Sequence, residues 1–197
     1  MSFKKPAGAM TIFSIYAILL AAGFTGLVIA CVSDVKERLI YNEIVLFVLG
    51  TGVALRLIST PKLVWISLLV SATLLVLLGQ CARFNMMGGG DAKLIAATGW
   101  LLPPQDNFWL LAHIAVAGGA LSCIYLLTRT VLRRAKIIPA RPEQAFPMGG
   151  SSQALANEFA KISAGEPMPY ALAILAGTSY SIADEVIRCG SAISCSL

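Results

Sequence analysis

Charge is what this sequence has least of. Only 13% of its 197 residues are Asp, Glu, Lys or Arg, against 57% apolar, where a soluble domain carries about a quarter charged and about half apolar. With a mean hydropathy of +0.79, this excludes an ordinary soluble globular protein and predicts an all-α, polytopic membrane protein. Histidine is nearly missing as well: His113 stands alone, and neither an HExxH zinc motif nor a GxSxG serine elbow occurs. The five cysteines, Cys31, Cys81, Cys123, Cys189 and Cys195, form no CxxC pair, which leaves zinc-ribbon and thioredoxin-type chemistry without ligands. Cys189 and Cys195 could pair only if the tail faces an oxidising compartment. No metal and no cofactor is called for. A net charge of +5 raises nucleic acid as a partner. The basic residues, however, flank apolar runs rather than forming an aromatic-interleaved face, so no nucleic-acid partner is expected.

What is present is a series of apolar spans. The first runs from about Thr11 to Val32 behind Lys4 and Lys5; it is too long for a signal-peptide core and long enough to cross a bilayer, so it reads as a retained helix. A second covers about Glu43–Ile58 and closes at the turn Ser59-Thr60-Pro61-Lys62. A third covers about Leu63–Gly79, and a polar, glycine-rich connection follows from Gln80 to Gly90. The fourth, Asp91–Leu102, stops at Pro103-Pro104. Its dozen residues reach ~18 Å, well short of a bilayer core of ~30 Å. Its start therefore lies below the membrane surface, or the preceding loop dips in. A fifth span, about Asn107–Thr128, ends in Arg129, Arg133, Arg134 and Lys136, and a sixth covers about Pro167–Ile187, with its helix starting at Pro169. Between these two, Pro139–Pro147 reads as a linker, and Leu155, Phe159 and Ile162 give the 150–163 segment one apolar helical face or leave it a loop. About six transmembrane helices in one membrane-embedded domain, 1–197, with a loop over about 129–166, is the expected architecture.

Lys and Arg set the orientation. Placing the loops after spans one, three and five in the cytoplasm gives that side most of the basic residues and puts the N-terminus outside. A parity argument then holds whichever way the chain is inserted. The end of an odd span and the start of the next even span share a membrane face, so Asp34, after span one, and Asp91, opening span four, lie on the same side with Asn42 and Lys93.

Asp91 sits in Met87-Gly88-Gly89-Gly90-Asp91-Ala92-Lys93. Glycines this dense break a helix and permit close backbone approach. Irregular backbone in a membrane is tolerated only against protein or a wet cavity. A carboxylate there costs at least ~2.5 kcal/mol to insert and marks function by default, although Asp also caps helices. Two carboxylates at one site hold a shared proton, and such a pair hydrolyses peptides, one activating water while the other, protonated, polarises the carbonyl. His113 reads as a packing or polar-contact residue near the opposite face, and Glu37 and Glu43 as solvated loop charges beside the site. Lys93 falls about 200° around the helix from Asp91 and suits snorkelling to headgroups.

These residues resemble the GxGD motif of the prepilin peptidases, membrane aspartic proteases: Gly88-Gly89-Gly90-Asp91 followed by Ala92-Lys93-Leu94. In that family an upstream Asp closes a helix ahead of a short stretch ending in Pro-Asn. Asp34 through Asn42 is similar, with Tyr41 where Pro is usual, and Pro169-Tyr170-Ala171-Leu172-Ala173-Ile174 resembles the family's opening of the last helix. The resemblance implies a GxGD aspartyl protease-like fold with Asp34 and Asp91 as the catalytic pair. Gly88 and Gly90 would shape the site and Asn42 would hold the loop, with Lys93 beside them. It implies removal of a short basic leader from type IV prepilins after a Gly at the cytoplasmic face of the bacterial inner membrane, with the prepilin and the lipid bilayer as partners. Larger members carry an insertion with a CxxC tetrad and also N-methylate the new terminus. This sequence has no CxxC, so it resembles the small, peptidase-only members of tight-adherence (Flp) pilus systems, and no methyltransferase activity is expected. Two other readings stay open: a related GxGD peptidase with another substrate, such as archaeal preflagellin-type leaders, and a non-catalytic membrane subunit or small carrier using Asp91 at a broken helix.

Overall fold

The structure, a computed structural model, describes residues 7–84, 87–134 and 168–191. Among them every regular element is helical: α1 (Ala7–Glu37), α2 (Asn42–Ser59), α3 (Val64–Arg83), α4 (Gly89–Thr98), α5 (Asn107–Arg134) and α6 (Ala171–Ser191), with short 3-10 turns at Pro61–Leu63 and Pro104–Asp106. Among the described residues four stretches are long and apolar enough to cross a membrane, Ser14–Glu37, Asn42–Ser59, Pro61–Arg83 and Pro104–Val131. The protein is an all-α polytopic membrane protein. The chain divides into two compact units, one of residues 1–116 with 169–197 and one of residues 117–168. In the second, α5 runs on to Arg134, six residues past the expected end of span five. The linker at 139–147, the 150–163 segment and Cys195 lie outside the described residues.

Within the first unit, three boundaries differ from the sequence reading in ways that matter. The first helix does not stop at Val32. Nothing in Ser33-Asp34-Val35-Lys36-Glu37 breaks a helix, so α1 continues to Glu37 and carries Asp34 in its last turn. It ends where Arg38 turns left-handed (φ 56°) while its N–H still donates to the Asp34 carbonyl at 2.9 Å, a helix stop that Gly usually provides. The fourth helix is shorter than Asp91–Leu102: it starts two residues earlier, at Gly89, and ends at Thr98, beyond which Trp100 and Leu101 donate to Ala97 and Thr98 in tight turns. Ten residues reach ~15 Å, half a bilayer core. The last helix opens at Ala171, two residues after the expected start at Pro169.

The short α4 is the buried centre of this unit. Leu94, Ile95 and Ala97 pack with Leu27 and Ala30 of α1, Val48 of α2, Leu110 and Ile114 of α5 and Ile174 of α6. The outward faces of α2, α3 and α5 leave Leu46, Phe47, Trp65, Leu69 and Val116 exposed, as lipid-facing side chains are. One contact between α5 and α6 is backbone-close: a methyl group on Gly177 would fall 2.6 Å from the Ile114 Cα and N. Arg56, in the last turn of α2, is fully buried rather than exposed at a span end.

Candidate active site

Both carboxylates of the sequence pattern sit where a helix offers backbone donors. Asp34, 8% exposed in the last turn of α1, accepts the Ala171 N–H at 3.1 Å. Ala171 is the first residue of α6, so the carboxylate meets the N-terminal end of that helix, where unpaired N–H groups and the helix dipole favour an anion. The Arg38 guanidinium is also close enough to interact with it electrostatically. Asp91 is the third residue of α4, and its carboxylate accepts the backbone N–H of Gly88, the residue before the helix. That contact is the cap reading of the sequence made concrete: an acidic third residue reaching back to the cap N–H. It does not exhaust the side chain. Asp91 Oδ1 is buried and has no hydrogen-bond partner among the described residues.

The two carboxylates lie within electrostatic reach of one another. Asp91 is outside the four candidate spans, and its carboxyl is pushed up from the ordinary 3.8 to about 6, first by burial and then by the negative charge of Asp34, with the Gly88 N–H pulling the other way. Tyr170 is half-buried beside it, its hydroxyl pushed up by burial and by the charge of Asp91. The glycines make this geometry possible. A methyl group at Gly88 would fall 2.6 Å from Asp91 Oδ2, in the space the carboxylate occupies. At Gly90 it would fall 3.1 Å from the Ile40 Cβ, where the α1–α2 connection crosses the start of α4.

That connection is tied at several points. Ser33 donates to the Leu39 carbonyl at 2.8 Å, and the Tyr41 hydroxyl donates to the Glu37 carboxylate. Tyr41 has φ −70° and ψ 138°, the φ that a proline ring imposes. The backbone at this departure from the family pattern therefore suits proline, and the phenol supplies its own tie. Glu37, read as a solvated charge, is the acceptor of that tie. Asn42 opens α2 and accepts the Lys93 ammonium at 3.1 Å. Lys93 thus binds α4 to α2 rather than simply snorkelling, and it lines a groove of about 420 Å3 with Asn42, Leu46, Leu75, Ala96 and Ala97. Being some 200° round from Asp91, this groove runs beside the carboxylates and not over them.

Sequence reasoning did not single out Arg38 or Tyr170 as site residues. Arg38 stands four residues after Asp34, one helical turn, which is the only local signal it gives. Tyr170 comes from the far end of the chain. His113, assigned a polar contact near the opposite face, pairs its Nδ1 with Ser181 Oγ at 2.8 Å, and Tyr180 packs edge-on to its ring. Among the described residues no cluster of His, Cys, Asp and Glu could hold a metal ion.

A single face of the fold thus gathers the buried Asp34 and the partly buried Asp91 carboxylates, each on a helix N-terminal donor, with glycines clearing the space around one of them. No curated protein and no solved structure matches the chain. The family model of the type IV leader peptidases matches residues 21–127, more than half of the chain and a stretch that includes both Asp34 and Asp91. The chain belongs to the type IV leader peptidase family.

Proposed function

We propose that this protein is a membrane aspartic endopeptidase that uses Asp34 and Asp91 to remove the basic leader from Flp-type prepilins. The single observation that carries this is the Asp91 carboxylate, partly buried with its buried Oδ1 unengaged among the described residues and raised to about 6 partly by Asp34. Two carboxylates so placed bind one proton between them at moderate pH. Asp34, facing the Ala171 N–H and Arg38, is the better stabilised anion and takes the proton of the attacking water. Asp91 holds the shared proton and gives it to the scissile carbonyl oxygen. Water adds to the carbonyl carbon, the C–N bond breaks, and the departing amine collects a proton from the pair. Gly88 and Gly90 keep the Asp91 side open, while Asn42 and Lys93 tie α2 to α4.

The basic residues near the ends of α1, α3 and α5 favour the cytoplasm for the face that carries both Asp, so leaders are cut at the cytoplasmic side of the inner membrane by one peptidase domain spanning 1–197. With no CxxC pair in the sequence, cleavage without N-methylation is the expected chemistry. The test is to mix membranes bearing the protein with a purified Flp-type prepilin and an archaeal preflagellin-type protein, and to weigh the products. Release of the leader from the prepilin, after its Gly and with an unmethylated new terminus, is expected. Cleavage of the preflagellin leader alone changes the substrate class, and no cleavage of either moves the assignment to a non-catalytic membrane subunit.

A further inference from the structure

Arg56 is fully buried, 1% exposed, in the last turn of α2, on the face of the unit opposite Asp34. A buried guanidinium inside a membrane domain is costly and stays only where its donors are used. Here the fork is used on one target. Nε donates to the Trp100 carbonyl at 3.1 Å and Nη2 to the Leu101 carbonyl at 3.0 Å. These carbonyls belong to the turns that end α4, where Trp100 and Leu101 are both buried, so they need a partner from the protein. The carboxylates of Glu185 and Asp106 and the Tyr16 hydroxyl lie within electrostatic reach of Arg56. Two further contacts hold α4 at the same depth. Gly52, one turn before Arg56, lets Trp100 approach so closely that a methyl group there would fall 2.6 Å from the Trp100 Cβ. On the other side, Ser71 of α3 donates to the Ala96 carbonyl at 3.0 Å.

We infer that Arg56 is a positioning residue: by anchoring the buried C-terminal end of α4 it sets the depth of that half-helix, and so the height at which Asp91, at the other end, meets Asp34. The inference rests on the proposed peptidase chemistry only for its catalytic consequence. Asp91 and Trp100 are nine positions apart, about 14 Å at the helical rise, so Arg56 touches neither substrate nor reacting atoms. A rigid ten-residue helix nevertheless passes a shift at one end to the other, and a displacement of ~1 Å at a catalytic group costs up to ~100-fold in rate.

Two readouts test this in Arg56→Lys, which keeps the charge and loses the fork, and in Gly52→Ala, which leaves Arg56 in place and pushes on Trp100. The first is prepilin cleavage in proteoliposomes. Both variants are expected to lower kcat ~10–100-fold with KM within about twofold of the parent, and to move the midpoint of the pH–rate profile, because Asp91 no longer meets Asp34 at the same distance. The second needs no activity: in a background with the native cysteines replaced, the pair Ile40→Cys and Gly90→Cys reports the position of the α4 start through its rate of disulfide formation. Slower cross-linking in both variants supports the inference. Folded variants with parental kcat, pH profile and cross-linking rate overturn it, and if Arg56→Lys does not fold, Gly52→Ala alone decides. If the parent cleaves no prepilin, the peptidase assignment falls, while unchanged or slowed cross-linking still decides whether Arg56 fixes α4.

Discussion

Replacing Asp91 with Asn should abolish cleavage and yet stabilise the protein at neutral pH. In the folded chain this carboxyl is raised from 3.8 to about 6, so the folded state binds its proton more tightly than the unfolded chain does. The stability tied to that proton is present below pH 3.8 and is lost as the pH rises to about 6. Above that, the protein carries a poorly solvated anion at a cost of ~3 kcal/mol by the size of the shift alone. Asp91 is only partly buried, and solvent screening reduces this to ~1–2 kcal/mol. Asparagine keeps the acceptor for the Gly88 N–H and removes the charge facing Asp34. For a chain of this length the gain corresponds to ~2–8 °C in Tm. The assay is thermal unfolding in one detergent at pH 4, 6 and 8 for parent and variant. A gain that is small at pH 4 and full at pH 8 is expected. A variant less stable than the parent at pH 8, or a gain equal at all three pH values, would refute the reasoning.

Further expectations follow from neighbouring contacts. Asp34→Asn removes one of the two causes that raise Asp91, so carboxyl NMR of labelled Asp should find Asp91 titrating below 6 and still above 3.8, because burial is the larger cause. Gly88→Ala places a methyl group 2.6 Å from Asp91 Oδ2 at a backbone conformation (φ −67°, ψ 138°) that any residue adopts; cleavage should drop ~100-fold or more with Tm little changed. Gly177→Ala puts its methyl group 2.6 Å from backbone atoms of Ile114, which cannot move aside as a side chain can. It should lose ~1–3 kcal/mol of stability, read as a lower Tm.

The sequence made the membrane class and the four long spans legible because apolar runs are a local signal and a helix is the only open-ended way to satisfy backbone groups in lipid. It also brought Asp34 and Asp91 to one face by parity alone, without any knowledge of packing. What it left hidden depends on contacts distant along the chain. The Ala171 N–H that meets Asp34 comes from 137 residues away. Arg56 looks like one more span-end charge until Trp100 and Leu101 fold over it. The short length of α4 was visible in Pro103-Pro104, but not its end at Thr98, because Gly99 and Trp100 still read as apolar continuation. Arg38 turning left-handed carries no sequence signature, since a Gly is the usual sign of such a helix end.

The central claim is that two carboxylates share one hydrolytic task. Its most direct measurement is prepilin cleavage, read as a gel shift, by the parent, Asp34→Asn and Asp91→Asn proteins inserted in membranes at matched levels. The account predicts cleavage by the parent and none by either single variant. Substantial cleavage by either Asn variant would contradict it.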